Sequence, residues 1–244
     1  MKNKILLFDL ETSPNIAYSW NGKYEVNIIE FIEEKYIMSV AYKWLGEKGV
    51  HCFNLGQYKF NHKKFIAELH KLFNDAEVNI AHNGDSFDIK MANREFIKYG
   101  FQPPSPYKQI DTLKIARSKC KFNDNRLDAL GEFLGLGRKK ETGGFPLWKS
   151  CMRNEKDGWR LMTKYNKQDV VLLEQVYLKL RAWATTVPNF IEDGEICPCC
   201  GSKEKTMQGN KRMTNSFYKK RYQCSKCGRW WVGKTKFKID ELHR

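Results

Sequence analysis

Two carboxylates stand two residues apart near the start of the chain, Asp9 and Glu11, within the segment KILLFDLETS at 4–13. The apolar run ILLF at 5–8 predicts a strand that is buried on both faces. Because side chains alternate along a strand, both acids are expected on the same side. A hard divalent cation between them would relieve their repulsion. The same residues also fit a strand end with two solvated acids before a Ser-Pro turn.

Two further acidic motifs follow along the chain. The segment AHNGDSFD at 81–88 lies where a predicted strand passes into a predicted helix, the place where α/β sheets put ligand-binding residues. We assign Asp85 to the helix N-cap and Asp88 to the chemistry. In YNKQD at 165–169, Tyr165 and Asp169 are four residues apart on a predicted helix and share one face. Asp169 precedes the apolar run VVLL, so it needs either a metal or a salt bridge to a nearby lysine or arginine.

The C-terminal part of the chain holds two C-x-x-C pairs, CPCC at 197–200 and CSKC at 224–227, separated by 23 residues. Four thiolates at such spacing are typical of a tetrahedral zinc site, and the glycine after each pair permits a tight turn. With no secretion signal, metal ligation is favoured over disulfides. We therefore predict a zinc ribbon with Cys199 as the spare thiol and the ligands Cys197, Cys200, Cys224 and Cys227.

Positive charge is concentrated in this C-terminal unit. The whole chain has a formal net charge of +15, and residues 195–244 carry 13 lysines and arginines against four acids. Such a charge favours a polyanionic partner, either nucleic acid or an anionic membrane. Basic residues interleaved with aromatic ones suit phosphate contacts and base stacking, so we predict nucleic-acid binding by Lys219, Lys220, Arg221, Trp230 and Trp231. The alternative is a solvated basic surface on which the tryptophans pack the ribbon.

Hydrophobic periodicity predicts the elements that must position these residues. Strands are predicted at 35–44, 49–55 and 78–82, and helices at 61–74, 86–99 and 159–183. Early strands followed by alternating strands and helices indicate an α/β fold, with a mixed sheet flanked by helices. We divide the chain into a catalytic domain, a linker and a zinc ribbon, at 1–187, 188–194 and 195–244. No apolar run approaches the length of a membrane span and no signal-peptide pattern is present, so we expect a cytoplasmic protein without a membrane partner.

Three motifs together resemble those of the DEDD exonucleases, in order and approximate spacing: FDLET at 8–12, HNGDSFD at 82–88 and YNKQD at 165–169. More specifically, they look like the tyrosine-bearing (DEDDy) subgroup of the DnaQ-like, ribonuclease H-like superfamily. The resemblance covers residues 4–185. It implies a ribonuclease H-like fold and a 3′–5′ exonuclease that releases 5′-mononucleotides from DNA or RNA. The rather long segment 119–151 departs from the family pattern and leaves the substrate-side loops unpredicted.

The resemblance also implies roles for single residues. Two Mg²⁺ or Mn²⁺ ions would be held by Asp9, Glu11, Asp88 and Asp169, with Asp9 bridging them. Tyr165 would orient the attacking water, because a phenol pKa near 10 makes a poor base. The side chains expected to contact the terminal nucleotide are Leu10, Thr12, Asn83 and Phe87. Since proofreading members of the family sit beside a polymerase, a replication or repair protein is a possible partner.

Three functions fit these motifs. The first is a metal-dependent 3′–5′ exonuclease whose zinc ribbon grips the substrate. The second is a structure-selective endonuclease, because the same acids can cut internally if the channel is open. The third is a nucleic-acid-binding or recruitment module that acts through the ribbon. The presence of all four acids and the tyrosine favours an enzyme.

Overall fold

A computed structural model describes residues 4–20, 27–137, 143–184, 196–212 and 216–238. The strands in chain order are β1 (Ile5–Thr12), β2 (Ile16–Ser19), β3 (Ile28–Glu33), β4 (Ile37–Trp44), β5 (His51–Asn54), β6 (Val78–Ala81), β7 (Lys108–Asp111), β8 (Lys205–Arg212), β9 (Phe217–Cys224), β10 (Trp230–Val232) and β11 (Phe237–Lys238). The helices are α1 (His62–Asp75), α2 (Asp88–Lys98), α3 (Thr112–Lys119), α4 (Leu127–Phe133), α5 (Phe145–Met152) and α6 (Lys156–Leu180).

The centre of the fold is a five-stranded sheet in the order β5-β4-β1-β6-β7. β1 pairs antiparallel with β4 and parallel with β6, and β7 is parallel to β6, so the sheet is mixed as predicted. Leu6, Leu7 and Phe8 are at most 1% exposed, because helices cover both faces of β1. The apolar run that predicts this strand is therefore the core of the domain.

Two layers of helices bury the two faces of this sheet. On one face, Leu6 and Phe8 of β1 pack with the apolar stripe of α1 and with α2. Asn61 caps the N-terminus of α1, since its Oδ1 accepts a hydrogen bond from the backbone N–H of Lys64 at 3.0 Å. On the other face, Leu7 packs in a cluster with residues of α3, α4 and α6. The mixed sheet flanked by helices is thus confirmed.

Helix α6 crosses the sheet and carries the third acidic motif. It contacts β1, β4 and β5. It begins and ends three residues earlier in the chain than the helix predicted at 159–183. An ion pair between Lys43 of β4 and Glu174 of α6 joins helix and sheet, and both side chains are largely buried. A buried pair of this kind disfavours sliding of the helix, because a shift would leave a buried charge unpaired.

The antiparallel hairpin β2–β3 is a feature that the sequence does not predict. It leaves the sheet at the end of β1 and returns to β4, and all six residues of β3 are exposed. Apolar side chains are exposed on both strands, including Tyr18, Phe31 and Ile32. Since neither face is buried, the alternation that reveals a half-buried strand is missing from this segment.

The C-terminal unit is a small antiparallel sheet with β9 at its centre, paired with β8, β10 and β11. Arg229, next to the second cysteine pair, donates from Nη1 to the carbonyl oxygen of Ala182 at 3.0 Å, just beyond α6. The predicted linker at 188–194 lies outside the described residues, and the proposed domain boundaries stay a prediction. None of the helices described has the length and apolar character needed to cross a bilayer.

Candidate active site and cysteine cluster

Three carboxylates converge where β1 meets α6. Asp9, Glu11 and Asp169 each offer an oxygen within 4.8 Å of the others. The alternation along β1 puts the first two on the same side, and α6, which packs across β1, brings the third to them. Asp169 is buried at 1% exposure, whereas the two strand acids are half-buried. Three acids at this separation form a site for a cation with hard oxygen ligands.

Asn166 orients the first of these acids. Its Nδ2 donates to Asp9 Oδ2 at 2.7 Å and to the backbone oxygen of Asp9 at 3.2 Å. Its Oδ1 accepts from Ser39 Oγ at 2.8 Å, and both Asn166 and Ser39 are fully buried. Sequence reasoning missed this role. The signal was available, because Asn166 stands three residues before Asp169 on the same helix face.

Asp88 lies outside the group of three but beside it. It is the first residue of α2 and is 5% exposed, and its Oδ1 accepts a hydrogen bond from the backbone N–H of Leu10 at 3.2 Å. That N–H belongs to the residue between Asp9 and Glu11, so Asp88 reaches the same strand end from the start of α2. The structure therefore brings all four predicted acids to the end of β1.

The assignment of Asp85 to the N-cap is wrong. Helix α2 begins at Asp88, and its N-cap residue Phe87 makes no side-chain hydrogen bond. Asp85 forms an ion pair with Lys114 of α3 instead, and their hydrogen bond raises the pKa of the exposed lysine. The helix starts later than predicted because residues 83–87 form a turn that is fixed by neighbouring groups.

Asp111 holds that turn. Its Oδ1 accepts hydrogen bonds from the backbone N–H groups of Asn83 and of Leu113, both at 2.9 Å. Asn83 has a φ of 64°, in the left-handed region that asparagine tolerates. A Cβ on Gly84 would lie 2.6 Å from Ala81 Cβ, so the turn has no room for a larger residue there. Asp111 thus positions the loop that leads to Asp88.

His82 is part of the scaffold around the acidic site. Its Nε2 lies 2.9 Å from the backbone oxygen of Asn125, and its Nδ1 lies 2.8 Å from Thr112 Oγ1. A carbonyl oxygen only accepts, so Nε2 carries the proton. Both ring nitrogens are engaged, and His82 joins the end of β6 to the loop between α3 and α4.

Tyr165 lies on α6 beside Trp148 of α5, with ring centroids 6.5 Å apart in an edge-on arrangement. Trp148 Nε1 donates to the backbone oxygen of Thr12 at 3.1 Å, which joins α5 to the end of β1. Cys151 lies one turn further along α5, where burial and then the nearby Glu11 raise the thiol pKa to about 12. α5, which falls in the segment left unpredicted, therefore forms one wall of the acidic site.

The residues expected to contact a terminal nucleotide are differently exposed. Leu10 is only 5% exposed and packs in the core, so only its backbone is available to a ligand. Phe87 is half-buried and packs against the same core. Thr12 is half-buried and Asn83 is exposed.

The four predicted zinc ligands come together. Cys197, Cys200, Cys224 and Cys227 each place Sγ within 4.8 Å of the others. The glycine after each pair has a positive φ, 71° at Gly201 and 75° at Gly228, which turns the chain back toward the sulfurs. The cluster fits a zinc ribbon.

The basic and aromatic residues predicted to bind nucleic acid differ in how exposed they are in this unit. Trp231 is half-buried and packs against the buried Tyr222, with ring centroids 5.5 Å apart. Trp230 is 46% exposed, and the guanidinium of Arg221 lies 5.6 Å from its ring centroid. Lys219 and Lys220 are half-buried. The two tryptophans therefore differ, and Trp230 is the one available for stacking.

Comparisons with known proteins identify one family model that matches more than half of this chain and a relative that matches about a third of it. A family model of the RNase_H superfamily matches residues 31–181, which includes Asp88, Tyr165 and Asp169 and begins after Glu11. A DNA polymerase III of the PolC type from Ureaplasma parvum is 32% identical over 93 residues, covering 35% of this chain and 6% of that protein.

Two solved structures are also similar in part. A family B DNA polymerase from Pyrobaculum calidifontis has a TM-score of 0.46 at 12% identity and covers 75% of this chain and 26% of its own. The zinc-bound complex of E. coli ExoI with single-stranded DNA has a TM-score of 0.40 at 15% identity, over 75% of this chain and 44% of its own. This chain spans less than half of each of these three proteins.

Proposed function

Because the chain belongs to the RNase H superfamily, we propose that it is a metal-dependent nuclease, and more specifically a 3′–5′ exonuclease of the DEDDy type. The observation that carries this proposal is the convergence of Asp9, Glu11 and Asp169 within 4.8 Å. Three carboxylates this close repel each other when they are ionised, and a bound cation relieves that repulsion.

The donor set fits Mg²⁺ or Mn²⁺, because every candidate ligand is a carboxylate oxygen. Asp9, Glu11 and Asp169 would hold these ions, and Asp88 would support them from the α2 side. Such ions, when bound, neutralise phosphate charge and supply a water of lowered pKa.

The side chains of this protein position the reactants. Asn166 fixes one oxygen of Asp9, Oδ2, and so sets the orientation of this carboxylate in the site. The Tyr165 hydroxyl hydrogen-bonds and orients the attacking water, and its ring is held by Trp148. The 3′-terminal nucleotide contacts the backbone of Leu10 and the side chains of Thr12, Asn83 and Phe87. A 5′-mononucleotide leaves with the phosphate that was attacked.

The C-terminal unit, at 195–244, would grip the nucleic acid. One structural Zn²⁺ on the four cysteines would stabilise a sheet with little core of its own. The exposed Trp230 under Arg221 offers a stacking surface beside a cation, with Lys219 and Lys220 nearby for phosphate contacts. Trp231 would act through packing.

A time course on 5′-labelled single-stranded DNA and RNA, with Mg²⁺ or Mn²⁺ and with chelator as the control, tests this function. A ladder that shortens by one nucleotide at a time from the 3′ end is the expected result and shows the preferred sugar. A few discrete internal products would instead identify an endonuclease. Tight binding without cleavage of the DNA or the RNA oligonucleotide would mean that the chain is a binding module.

A further inference from the structure

Arg229, which follows the second cysteine pair, joins the C-terminal unit to the end of α6. Its Nη1 donates to the backbone oxygen of Ala182 at 3.0 Å and also to that of Ala184. Both carbonyl groups lie just beyond Leu180, the last residue of α6, and the C-terminal end of a helix favours a positive charge. Arg229 is half-buried, so these hydrogen bonds are partly shielded from water.

The groups that Arg229 contacts are anchored in the core around the main sheet. Ala184 is 1% exposed and packs in the same apolar cluster as β1 and α6. The first cysteine pair meets the same end of the helix, because Cys199 lies close to Tyr177 of α6. Burial and then the nearby Cys199 raise the pKa of Tyr177 to about 12. Both cysteine pairs therefore lie against the end of α6, which fixes the orientation of the C-terminal unit.

This contact places the exposed tryptophan relative to the acids. Trp230 directly follows Arg229 and is 46% exposed beside the guanidinium of Arg221. The helix that Arg229 contacts also carries Asp169, 12 residues before the C-cap residue Arg181. At about 1.5 Å per residue, the contact lies about 18 Å from the acid along the helix axis.

We propose that Arg229 holds the stacking surface at this distance from the acidic site and so makes the protein select single strands by length. A stacked strand rises about 3.4 Å per nucleotide, so about five nucleotides span the distance. Shorter strands reach the acids but not Trp230, whereas longer strands contact both. A flexibly tethered unit would give no sharp threshold. The proposal rests on the proposed nuclease function and adds Arg229 to it as a positioning residue.

The first measurement uses the whole protein, loaded with zinc and free of nucleic acid. ¹⁵N relaxation should give the amides of β9 the same rotational correlation time as those of α6. In Arg229→Ala the amides of β9 should tumble faster, while the zinc content stays at the wild-type value because all four cysteines remain. Independent tumbling of β9 in the wild-type protein would overturn the docked arrangement, whatever the activity.

The second measurement is cleavage of single strands of increasing length, from a 3-mer to a 12-mer. The wild-type KM should fall about tenfold between about four and eight nucleotides and then stay level, as expected when one stacking contact and its neighbouring charges are gained. In Arg229→Ala the KM for the 12-mer should rise several-fold, because the unit is no longer held in place. The KM for the 3-mer and the kcat should not change.

Lys226→Ala is the matched control, since it removes one exposed positive charge from the turn between Cys224 and Cys227. It should leave the correlation time and the length threshold at their wild-type values. A wild-type KM that falls smoothly with length, or an equal change in both variants, would refute the role of Arg229 while the nuclease stands.

If the wild-type protein cuts no strand, the proposed function fails, and the length threshold is tested by binding alone. Fluorescence anisotropy over the same lengths should then show the threshold in the dissociation constant of the wild-type protein and its loss in Arg229→Ala. A dissociation constant without a threshold in the wild-type protein would refute the proposal.

Discussion

Asn166 offers the sharpest prediction about how the acidic site is held. Its replacement by alanine removes the 2.7 Å donor to Asp9 Oδ2, the 3.2 Å donor to the Asp9 carbonyl and the acceptor for Ser39 Oγ. Ser39 keeps Cys52 Sγ at 3.4 Å as another partner, so the main loss falls on Asp9. A hydrogen bond to a charged group contributes about 1.5–3 kcal/mol.

The expected result of Asn166→Ala is weaker metal binding with a retained fold. Residues that orient a metal ligand typically change affinity or activity by about 10–100-fold, and we expect the Mn²⁺ concentration for half-maximal cleavage to rise in that range. Excess Mn²⁺ should restore most of the rate, because all carboxylates remain. Titration calorimetry with Mn²⁺ alone should show the same weakening without any substrate.

Gln168→Ala is the control for this experiment, since it removes a half-buried amide from the same motif on the same helix. This variant should need the same Mn²⁺ concentration for half-maximal cleavage as the wild-type protein. If Asn166→Ala lowers the melting temperature but shifts the Mn²⁺ dependence by less than twofold, Asn166 serves only the packing of α6, and the positioning role is refuted.

Three further predictions concern other parts of the molecule. Cys224→Ser should release zinc and weaken binding of a single-stranded oligonucleotide, measured by anisotropy, by more than it slows cleavage of very short substrates. Trp148→Phe keeps the ring beside Tyr165 but removes the donor to the Thr12 carbonyl, and we expect a several-fold fall in kcat with little change in melting temperature. Glu95 is fully buried and its oxygens accept no hydrogen bond from the described residues; burial raises its pKa. Because an acid with a raised folded-state pKa destabilises the protein once pH exceeds its unfolded pKa, Glu95→Gln should raise the melting temperature at pH 8, and the gain should shrink as pH falls toward about 4.

Each of these has its own contrary outcome. Cys199→Ser is the control for the zinc variant, and loss of zinc from both would mean that the ligand set is wrong. A Trp148→Phe protein with wild-type kcat would show that the α5 contact is not needed for catalysis. A Glu95→Gln protein less stable at pH 8 would mean that the carboxylate has a favourable partner in solution.

The sequence predicts the parts of this structure whose local pattern matches their burial. The apolar run at 5–8 is buried as a strand between two layers of helices. The alternation of side chains along that strand then puts Asp9 and Glu11 on the same side. The cysteine spacing likewise predicts the cluster, because each pair and its glycine form a self-contained turn. Both inferences need only short-range geometry.

What the sequence could not show depends on contacts between distant segments. Asn166 reaches Asp9 across 157 residues, and Asp111 fixes a turn 28 residues earlier. Asp85 has the right type and place for an N-cap, but Lys114 and Asp111 draw it into a different turn. The loop between α3 and α4 lies in a segment without strong periodicity, so its position near Asp9 appears only in three dimensions.

The most direct test of the central claim is a comparison of single and double charge removals in the acidic site. We expect Asp9→Asn and Asp169→Asn each to reduce oligonucleotide cleavage by at least about a thousandfold, with the fold intact by circular dichroism. The double variant should be no slower than either one, because groups that act as one unit are not additive. Asp157→Asn, at the exposed start of α6, should cut at the wild-type rate. Near-wild-type cleavage by either single variant, or losses that multiply in the double variant, would contradict a joint site formed by these carboxylates.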